Sequence, residues 1–202
     1  MTVSAMAPAG SMPQARLDTR PLALLGALAL IALPLIGSPS TWATLTVAGL
    51  AMGLIIFVIA SGLTLVFGLM DVLNFGHGVF IAAGAFVATS VLGGMSAWTL
   101  SPSLAANLIA IFAAMAAAMS AAAALGYAFE RIIVRPVYGQ HLKQILITMG
   151  GMIVGEEIIK VIWGPQQIPL PLPTTLRGSF VVGDASIEKY RVLAVVIGLI
   201  VF

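Results

Sequence analysis

The sequence contains no cysteine, and charged residues make up only 8% of its 202 positions. Without cysteine the chain has no disulfides, no thiolate nucleophile and no cysteine metal ligands. Soluble domains carry about 25% charged residues, so a chain that combines so few charges with 60% hydrophobic residues is not typical of a water-soluble fold. The nine basic residues form no dense cluster, which argues against a nucleic-acid-binding surface.

Long uncharged runs dominate the sequence. Residues 43–70 contain no charge over about 28 positions, and about 20 apolar residues are enough to cross a bilayer. Further apolar runs lie at 22–36, 75–94, 104–129 and 144–163, and another begins at Val192. Length and hydropathy predict an all-α integral membrane protein, a polytopic helical bundle with about five spans and the start of a sixth.

The two ends of the chain differ from the middle. Residues 1–21 are rich in Ala, Pro, Ser and Met, which predicts a disordered tail before a partial transmembrane domain over 22–202. The run 22–36 is short, and it is interpreted as a retained, short or tilted helix, with a signal peptide as the alternative. The final run, 192–202, is about 16 Å long as a helix, half of the hydrocarbon thickness, so we expect a portion of a longer protein.

A polar joint, Asn74-Phe75-Gly76-His77-Gly78, separates two of the uncharged runs. Irregular backbone at membrane depth is tolerated only where protein or a water-filled cavity satisfies its peptide groups, so the joint predicts a broken helix near 74–78. Its unpaired amides and carbonyls suit a substrate carboxylate and ammonium group. For Asn74 we favour helix capping, and for His77 an interhelical hydrogen bond over solute contact.

A second break is predicted at 148–151, where Thr148 and Gly150 become candidates for a pathway wall. Gly151 and Gly155 are spaced four apart, which suits close packing against another helix, with chance spacing in a glycine-rich chain as the alternative.

The charges of the same run need another explanation. Glu156 and Glu157 are costly in a membrane helix. We favour a shallow position near Trp163, with Glu156 paired to Lys160, over a proton-relay or solute site.

Basic residues indicate the orientation of the bundle. Arg16 and Arg20 precede the first run, and Arg131, Arg135 and Lys143 follow the fourth, whereas the joints at 37–42 and 95–103 have none. Basic residues concentrate on the cytoplasmic side, so the N-terminus and the 130–143 loop are predicted to be cytoplasmic.

The joint at 164–191 is then external. Four prolines predict an extended arm there, and Gly183-Asp184 between β-branched residues predicts a small hairpin lying over the outer mouth. A plain linker is the alternative.

The residues carry a family resemblance. The stretch Ser61 to Met70, SGLTLVFGLM, followed by Val72 to Gly78, VLNFGHG, resembles the signature of the membrane permeases of branched-chain amino acid ABC importers. The pair Glu130-Arg131 with Arg135-Pro136 resembles the cytoplasmic joint of that family, and the stretches at 147–150 and 162–164 follow in the expected order.

The resemblance implies a multi-pass protein of the bacterial inner membrane. Its partners would be a second homologous permease subunit, two cytoplasmic ATPases, a periplasmic solute-binding protein and the lipid bilayer. No phosphate-binding G-x-x-x-x-G-K-[ST] loop is present, so ATP would be bound by the separate subunits and this chain would hold no cofactor or metal. Substrates would be branched-chain or related amino acids, with urea or short amides as alternatives.

The two polar breaks and the basic cytoplasmic loop supply the candidate functional residues. Substrate-path candidates are Asn74, Gly76, His77, Gly78, Thr148 and Gly150, and candidates for the loop that faces the ATPases are Arg131, Arg135 and Lys143. No catalytic residue is assigned to a transport subunit.

Two competing classes remain. In an intramembrane hydrolase, Ser61 and His77 would act as nucleophile and base, but no G-x-S-x-G or H-E-x-x-H pattern frames them. A non-transporting membrane scaffold would need only the small-residue helix faces.

Overall fold

The computed structural model describes residues 20–202, and the first helix, α1 (Arg20–Ile36), starts at the first of them. The predicted tail, 1–21, lies outside the described residues except at its end. There the prediction was wrong by two residues, because Arg20 and Pro21 already belong to α1. Proline is tolerated in the first turn of a helix, where its missing N–H has no intrahelical partner to lose.

A tight turn joins α1 to α2 (Pro39–Met70). Gly37 adopts a left-handed conformation with φ of 71°, and Ser38 Oγ accepts from the Thr41 amide as a helix cap. The Trp42 indole N–H donates to Ala29 O at 2.7 Å and ties the two helices together. Because Ser38 caps the helix and proline suits its first turn, α2 starts four residues before the predicted 43. Its 32 residues span about 48 Å.

The next helices form the best-packed part of the bundle. They are α3 (His77–Gly94), the four-residue α4 (Ser96–Thr99) and α5 (Leu104–Phe129). Small residues let α3 and α5 approach closely: a Cβ on Gly84 would lie 3.7 Å from the Ala118 carbonyl oxygen. Leu92 packs on Ala110 and Ala114 in the buried cluster between these helices. Such close backbone approach is the way helices associate in lipid.

The basic joint after α5 is mostly helical, which corrects the predicted 130–143 loop. The chain continues as a π-helical turn, Glu130–Val134, and a 3₁₀ turn, Arg135–Val137. Only residues 138–140 separate it from α6 (His141–Trp163). The apolar stretch 132–134 lets the helix continue past the charges at 130 and 131.

Tyr138 lies in this short turn. Its hydroxyl donates to Glu130 Oε1 at 2.8 Å. Partial burial, and then this bond to the carboxylate, raise the pKa of the Tyr138 phenol.

Helices occupy all five predicted spans and the start of the sixth. Within the described residues, three are long and apolar enough to cross a membrane: α2, α3 and the continuous helix Leu104–Val137. The helix α1 is shorter. The helix α6 has 23 residues, enough to cross, but it carries four charged residues, Lys143, Glu156, Glu157 and Lys160. The prediction of an all-α, multi-pass membrane protein is confirmed.

A two-stranded hairpin follows α6, as predicted. The strands β1 (Ser179–Val182) and β2 (Ala185–Glu188) pair antiparallel, with Phe180 opposite Ile187. Gly183 occupies the two-residue turn with φ of 61°, a conformation that favours glycine. β2 packs against α2 and leads into α7 (Lys189–Val201).

Candidate functional site

The predicted break at 74–78 exists, and it begins slightly earlier than expected. Residues 71–76 are not helical. Asp71 ends α2 in a left-handed conformation with φ of 52°, and its amide donates to Phe67 O. His77 and Gly78 belong to the first turn of α3 and not to the irregular segment. We call residues 71–76 the re-entrant segment.

The position of His77 shows how deep this segment reaches. His77 Nε2 lies 3.2 Å from the carbonyl oxygen of Ile59 in α2. Ile59 precedes the end of α2 by 11 residues, about 16 Å along a helix. The chain therefore turns back from the end of α2 toward its middle before α3 begins. The predicted interhelical hydrogen bond of His77 is confirmed, and Nε2 carries the proton because a carbonyl oxygen only accepts.

Asn74 does not cap α3 in the predicted way. The helix begins two residues later than expected, and its N-cap residue, Gly76, offers no side chain. Asn74 Oδ1 instead accepts from the Gly76 amide at 2.9 Å. This is a local Asx turn, in which an asparagine side chain replaces a backbone acceptor, so Asn74 shapes the approach to α3.

The two glycines at the break have different surroundings. A Cβ on Gly76 would lie 3.0 Å from Phe129 Cζ and 3.1 Å from Asn74 Oδ1, so a larger residue would displace one of them. No atom lies within 4 Å of a Cβ on Gly78. The close approach expected of both glycines holds for Gly76 alone.

The predicted second break at 148–151 is wrong, because α6 is continuous through these residues. Glycine is tolerated inside this helix because a neighbour fills the space: a Cβ on Gly151 would lie 2.7 Å from Phe129 Cζ. Gly155 likewise faces Val79, at 2.6 Å from Val79 Cγ1. The glycine pair in α6 packs against other helices, as its spacing predicted.

Thr148 nevertheless reaches the site. It is fully buried, and its Oγ1 lies 2.7 Å from Gln144 O and 3.2 Å from Leu73 O. Its single proton is shared: the shorter bond goes to Gln144 O in the same helix, and the longer contact with Leu73 O links α6 to the re-entrant segment. Leu73 and Thr148 are 75 positions apart, so this contact exists only in the folded bundle.

Replacing Thr148 with valine tests this fastening. Valine keeps the shape but leaves the Leu73 carbonyl without its donor, and we expect the free energy of unfolding to fall by about 1–3 kcal/mol. Equilibrium unfolding in detergent measures it. The matched control is Thr89→Val in α3, whose hydroxyl bonds, among the described residues, only to Ala85 O in its own helix; we expect a change within about 0.5 kcal/mol. Equal effects of the two substitutions would contradict the fastening.

A small cavity opens on the α2 side of the re-entrant segment. Its volume is about 240 Å³, below the roughly 300–1,000 Å³ of pockets for drug-sized ligands. Its lining consists of Ile59, Leu63, Leu73, Asn74, Phe75, His77 and Gly78. Three of the six predicted substrate-path residues therefore meet here. Of the others, Gly76 is buried next to lining residues of the cavity. Thr148 does not line it but contacts the lining residue Leu73, and Gly150 lines a different groove.

The polar part of the cavity lining lies at the N-terminus of α3. The first turn of α3 contains no acidic residue and its cap has no side-chain acceptor. Within the described part of the chain, the Gly78 amide has no acceptor. Uncapped amides at a helix N-terminus carry a partial positive charge that favours anionic groups. The rest of the lining is apolar, so the cavity is mostly hydrophobic with a small polar part at the N-terminus of α3.

Two buried amide side chains were missed by the sequence reasoning. Gln144 is 1% exposed, and its Oε1 has no hydrogen-bond partner among the described residues. Asn107 is fully buried. The available signal was that Asn107 is the one amide side chain in the run 104–129, because polar groups buried in lipid need partners.

Asn107 connects the outer segments. Its Nδ2 donates to Ser101 O at 2.8 Å and to Trp98 O at 3.1 Å, before α5. Its Oδ1 accepts from the Thr175 amide at 3.1 Å and from Thr174 Oγ1 at 3.2 Å. One side chain thus holds the proline-rich arm against the start of α5, which argues against a plain linker at 164–191.

The charged pair in α6 differs from the predicted one. Lys160 Nζ contacts Glu157 Oε1 at 2.6 Å, three residues away, and not Glu156. Both three- and four-residue spacings bring side chains together on a helix, and the rotamers decide between them. One turn later, the Trp163 indole N–H donates to Ser90 Oγ at 2.8 Å, which holds this end of α6 against α3.

The predicted ATPase-facing residues are exposed at the end of the bundle where α5 stops and α6 starts. They are Arg131, Arg135 and Lys143. Asp71 and His141 lie at the same end, with His141 Nε2 3.8 Å from Asp71 Oδ2. The re-entrant segment therefore opens from the end of the molecule that carries these basic residues.

The arrangement does not support a serine nucleophile. Ser61 Oγ donates to Val58 O in its own helix at 2.8 Å, while the imidazole of His77 bonds to Ile59 O. In the residues that the structure covers, the two side chains form no hydrogen bond with each other, so no base is aligned with the hydroxyl.

Comparison with known proteins bears on this geometry. Residues 45–202 match the family described as branched-chain amino acid transport system, permease component. The chain belongs to this family. Over 142 residues it is 31% identical to the high-affinity branched-chain amino acid transport system permease protein BraD of Pseudomonas aeruginosa, covering 70% of this chain and 45% of BraD.

Other members of the permease family show weaker similarity. The LivH permease proteins of Salmonella typhimurium and Escherichia coli K12 are each 26% identical over 138 residues, 68% of this chain and 43% of theirs. The chain thus spans less than half of the length of these curated relatives. No solved structure matches it.

Proposed function

We propose that this chain forms part of the permease subunit of an ATP-driven importer that moves branched-chain or related amino acids across the bacterial inner membrane. Membership of the permease family supports the class of protein. The observation that carries the residue-level proposal is the cavity at the re-entrant segment, where Asn74, His77 and Gly78 meet four apolar residues.

The cavity has the chemistry that such a solute requires. An amino acid with an aliphatic side chain is zwitterionic at one end and apolar at the other. Its carboxylate suits the free Gly78 amide at the positive end of α3. Its side chain suits the wall formed by Ile59 and Leu63. Urea and short amides, the alternative substrates, would use the polar part of the lining and leave the apolar part without a partner.

The remaining subunits follow from the proposed class of importer. A second homologous permease subunit would complete the path, a periplasmic protein would deliver the solute, and two cytoplasmic subunits would bind ATP. The exposed Arg131, Arg135 and Lys143 are proposed to face those ATPases. The N-terminus would then also be cytoplasmic.

Uptake by cells that carry the gene product containing this sequence tests the function. With its binding protein and ATPases coexpressed, we expect accumulation of radiolabelled leucine that requires ATP, and copurification of the ATPases with the permease. Urea serves as the competing solute. Leucine uptake that persists after the ATPase is inactivated, or transport of urea alone, would contradict the proposal.

The orientation has its own test. A protease site inserted near Tyr138 is expected to be cut only from the cytoplasmic side of membrane vesicles, because basic residues concentrate there. A site inserted in the turn at Gly183 is the control and should be cut only from the periplasmic side. The reverse pattern would invert the topology while leaving the fold unchanged.

A further inference from the structure

One aromatic ring connects the re-entrant segment to α6. Phe129, the last residue of α5, is half-buried, and the tip of its ring lies against two glycines. A Cβ on Gly76 would lie 3.0 Å from Phe129 Cζ, and a Cβ on Gly151 would lie 2.7 Å from the same atom. The ring also packs edge-on against Phe80 of α3, with the two ring centroids 5.1 Å apart. Three other segments of the bundle therefore meet at this single side chain.

The two glycines provide space here and no special backbone conformation. Gly76 has φ of −72°, a value that residues with a side chain also adopt. Gly151 lies inside a continuous helix, where glycine is less favourable than alanine by about 1 kcal/mol. What the two positions share is the Phe129 ring, because a methyl group at either of them would crowd it. We call the space between Gly76 and Gly151 the ring slot.

The ring slot borders the residues that form the polar part of the amino-acid cavity. Asn74 lines that cavity, and its Oδ1 accepts from the Gly76 amide at 2.9 Å. His77 and Gly78 line it too, and they follow Gly76 directly in the first turn of α3. Phe129 is not one of the lining residues. Its influence on a solute in the cavity is therefore indirect and passes through Gly76.

On its other side, Phe129 is joined to the basic end of the bundle. The next five residues form the π-helical turn Glu130–Val134, in which the Arg135 amide donates to Glu130 O, five positions earlier. Single π-helical turns are rare and frequently lie at functional sites. This turn carries Arg131, which is exposed. Because Phe129 is the residue before the turn, a displacement of the basic segment would move the ring in its slot.

We propose that Phe129 is a positioning residue that couples the basic segment at 130–137 to the solute cavity. When this segment shifts, as in a change from π to α geometry, the ring presses on Gly76 or withdraws from it. The turn at Asn74 and the first turn of α3 then change with it, since coupling between sites is carried by packed side chains with discrete arrangements. The inference rests on the proposed function, because it needs a solute in the cavity and ATPases at the basic end.

The number of ATP molecules hydrolysed per leucine taken up tests this coupling. The full gene product is reconstituted in proteoliposomes with its binding protein and ATPases, and both rates are measured on the same sample. Phe129→Leu keeps an apolar side chain but lacks the ring tip that reaches Gly76. We expect the ratio to rise roughly 10-fold, the order of magnitude of coupling between two sites. A merely structural role would lower both rates together and leave the ratio unchanged.

A second variant adds volume on the opposite side of the slot. Gly76→Ala should also raise the ratio, because its methyl group crowds Phe129 Cζ. In the double variant, Phe129→Leu with Gly76→Ala, the methyl group occupies the space that the ring tip has left. Residues in contact have non-additive effects, so we expect the ratio of the double variant to be lower than that of either single variant.

Two controls disturb packing away from the ring slot. Phe86→Leu alters a half-buried ring of α3 that packs on Trp163, with the centroids 5.4 Å apart. Gly198→Ala places a methyl group 2.5 Å from Leu54 Cβ, where α7 packs on α2. Equilibrium unfolding in detergent measures the loss of stability in all the variants. The controls should lose stability as the test variants do, while their ratio of ATP to leucine stays that of the unaltered protein.

Any one of three results would overturn the inference. They are an unchanged ratio in Phe129→Leu, a rise of the same size in Phe86→Leu, and a double variant in which the two single effects simply multiply. If the unaltered protein takes up leucine with ATP, such a result removes the role of Phe129 alone. If the unaltered protein takes up no leucine, the proposed function fails as well.

Discussion

Gly78→Leu is expected to abolish uptake while the protein still folds and inserts. Gly78 lines the cavity of about 240 Å³, and no atom lies within 4 Å of a Cβ at this position. The new side chain would enter the cavity and occupy the space of the solute. The substitution should not lower the stability of the fold, because leucine is more favourable than glycine in a helix by about 1 kcal/mol.

Initial rates of radiolabelled leucine uptake measure this effect. We expect the uptake rate to fall about 100-fold or more, because displacing a bound reactant by about 1 Å can slow an enzymatic reaction by that factor. The matched control is Gly68→Leu, at an exposed glycine of α2 whose Cβ also meets no atom within 4 Å; its uptake should stay near normal. If Gly78→Leu transports normally, the cavity is not on the solute path.

Asn107→Leu is expected to lower the free energy of unfolding by about 3 kcal/mol or more. The leucine side chain is similar in size but has no polar atoms, so the Thr175 amide and the carbonyls of Trp98 and Ser101 lose the buried partner that they share. Each unsatisfied buried group costs about 1–3 kcal/mol. The proline-rich arm should also detach from the start of α5.

Two measurements follow this change. Equilibrium unfolding gives the free energy, and limited proteolysis reports whether the arm at 164–178 becomes susceptible. Ser120→Ala is the control in the same helix. Within residues 20–202 the Ser120 hydroxyl bonds only to Ala116 O, one turn before it, so we expect a change within about 0.5 kcal/mol. An arm that stays protected in Asn107→Leu, with unfolding unaltered, would show that Asn107 does not hold it.

Much of the fold could be predicted because its causes are local. The apolar runs specify helices in lipid, where every backbone group must be paired within the segment. Gly183-Asp184 predicts the hairpin because that turn needs a positive φ. The break near Asn74 is predictable for the same reason: polar, glycine-rich residues interrupt two runs that otherwise have no polar groups. Helix ends were missed by two to four residues where a cap or a proline extends the helix.

The contacts of the site could not be predicted, because they join residues far apart in the chain. The second break was expected at 148–151 from glycine content and the family pattern, but Phe129 packs against Gly151 and the helix continues. The partner of Thr148, Leu73, is 75 positions away. The pairing of Lys160 with Glu157 depends on rotamers rather than on spacing.

Local sequence was sufficient to specify the helices, the hairpin and the position of the break between α2 and α3. Packing assigned the roles: it enclosed Gly76, left Gly78 open to a cavity, and buried Asn107 among partners from three segments. The physical reason is that hydropathy and backbone hydrogen bonding act between near neighbours in the chain. Cavities and interhelical hydrogen bonds form only when distant helices meet.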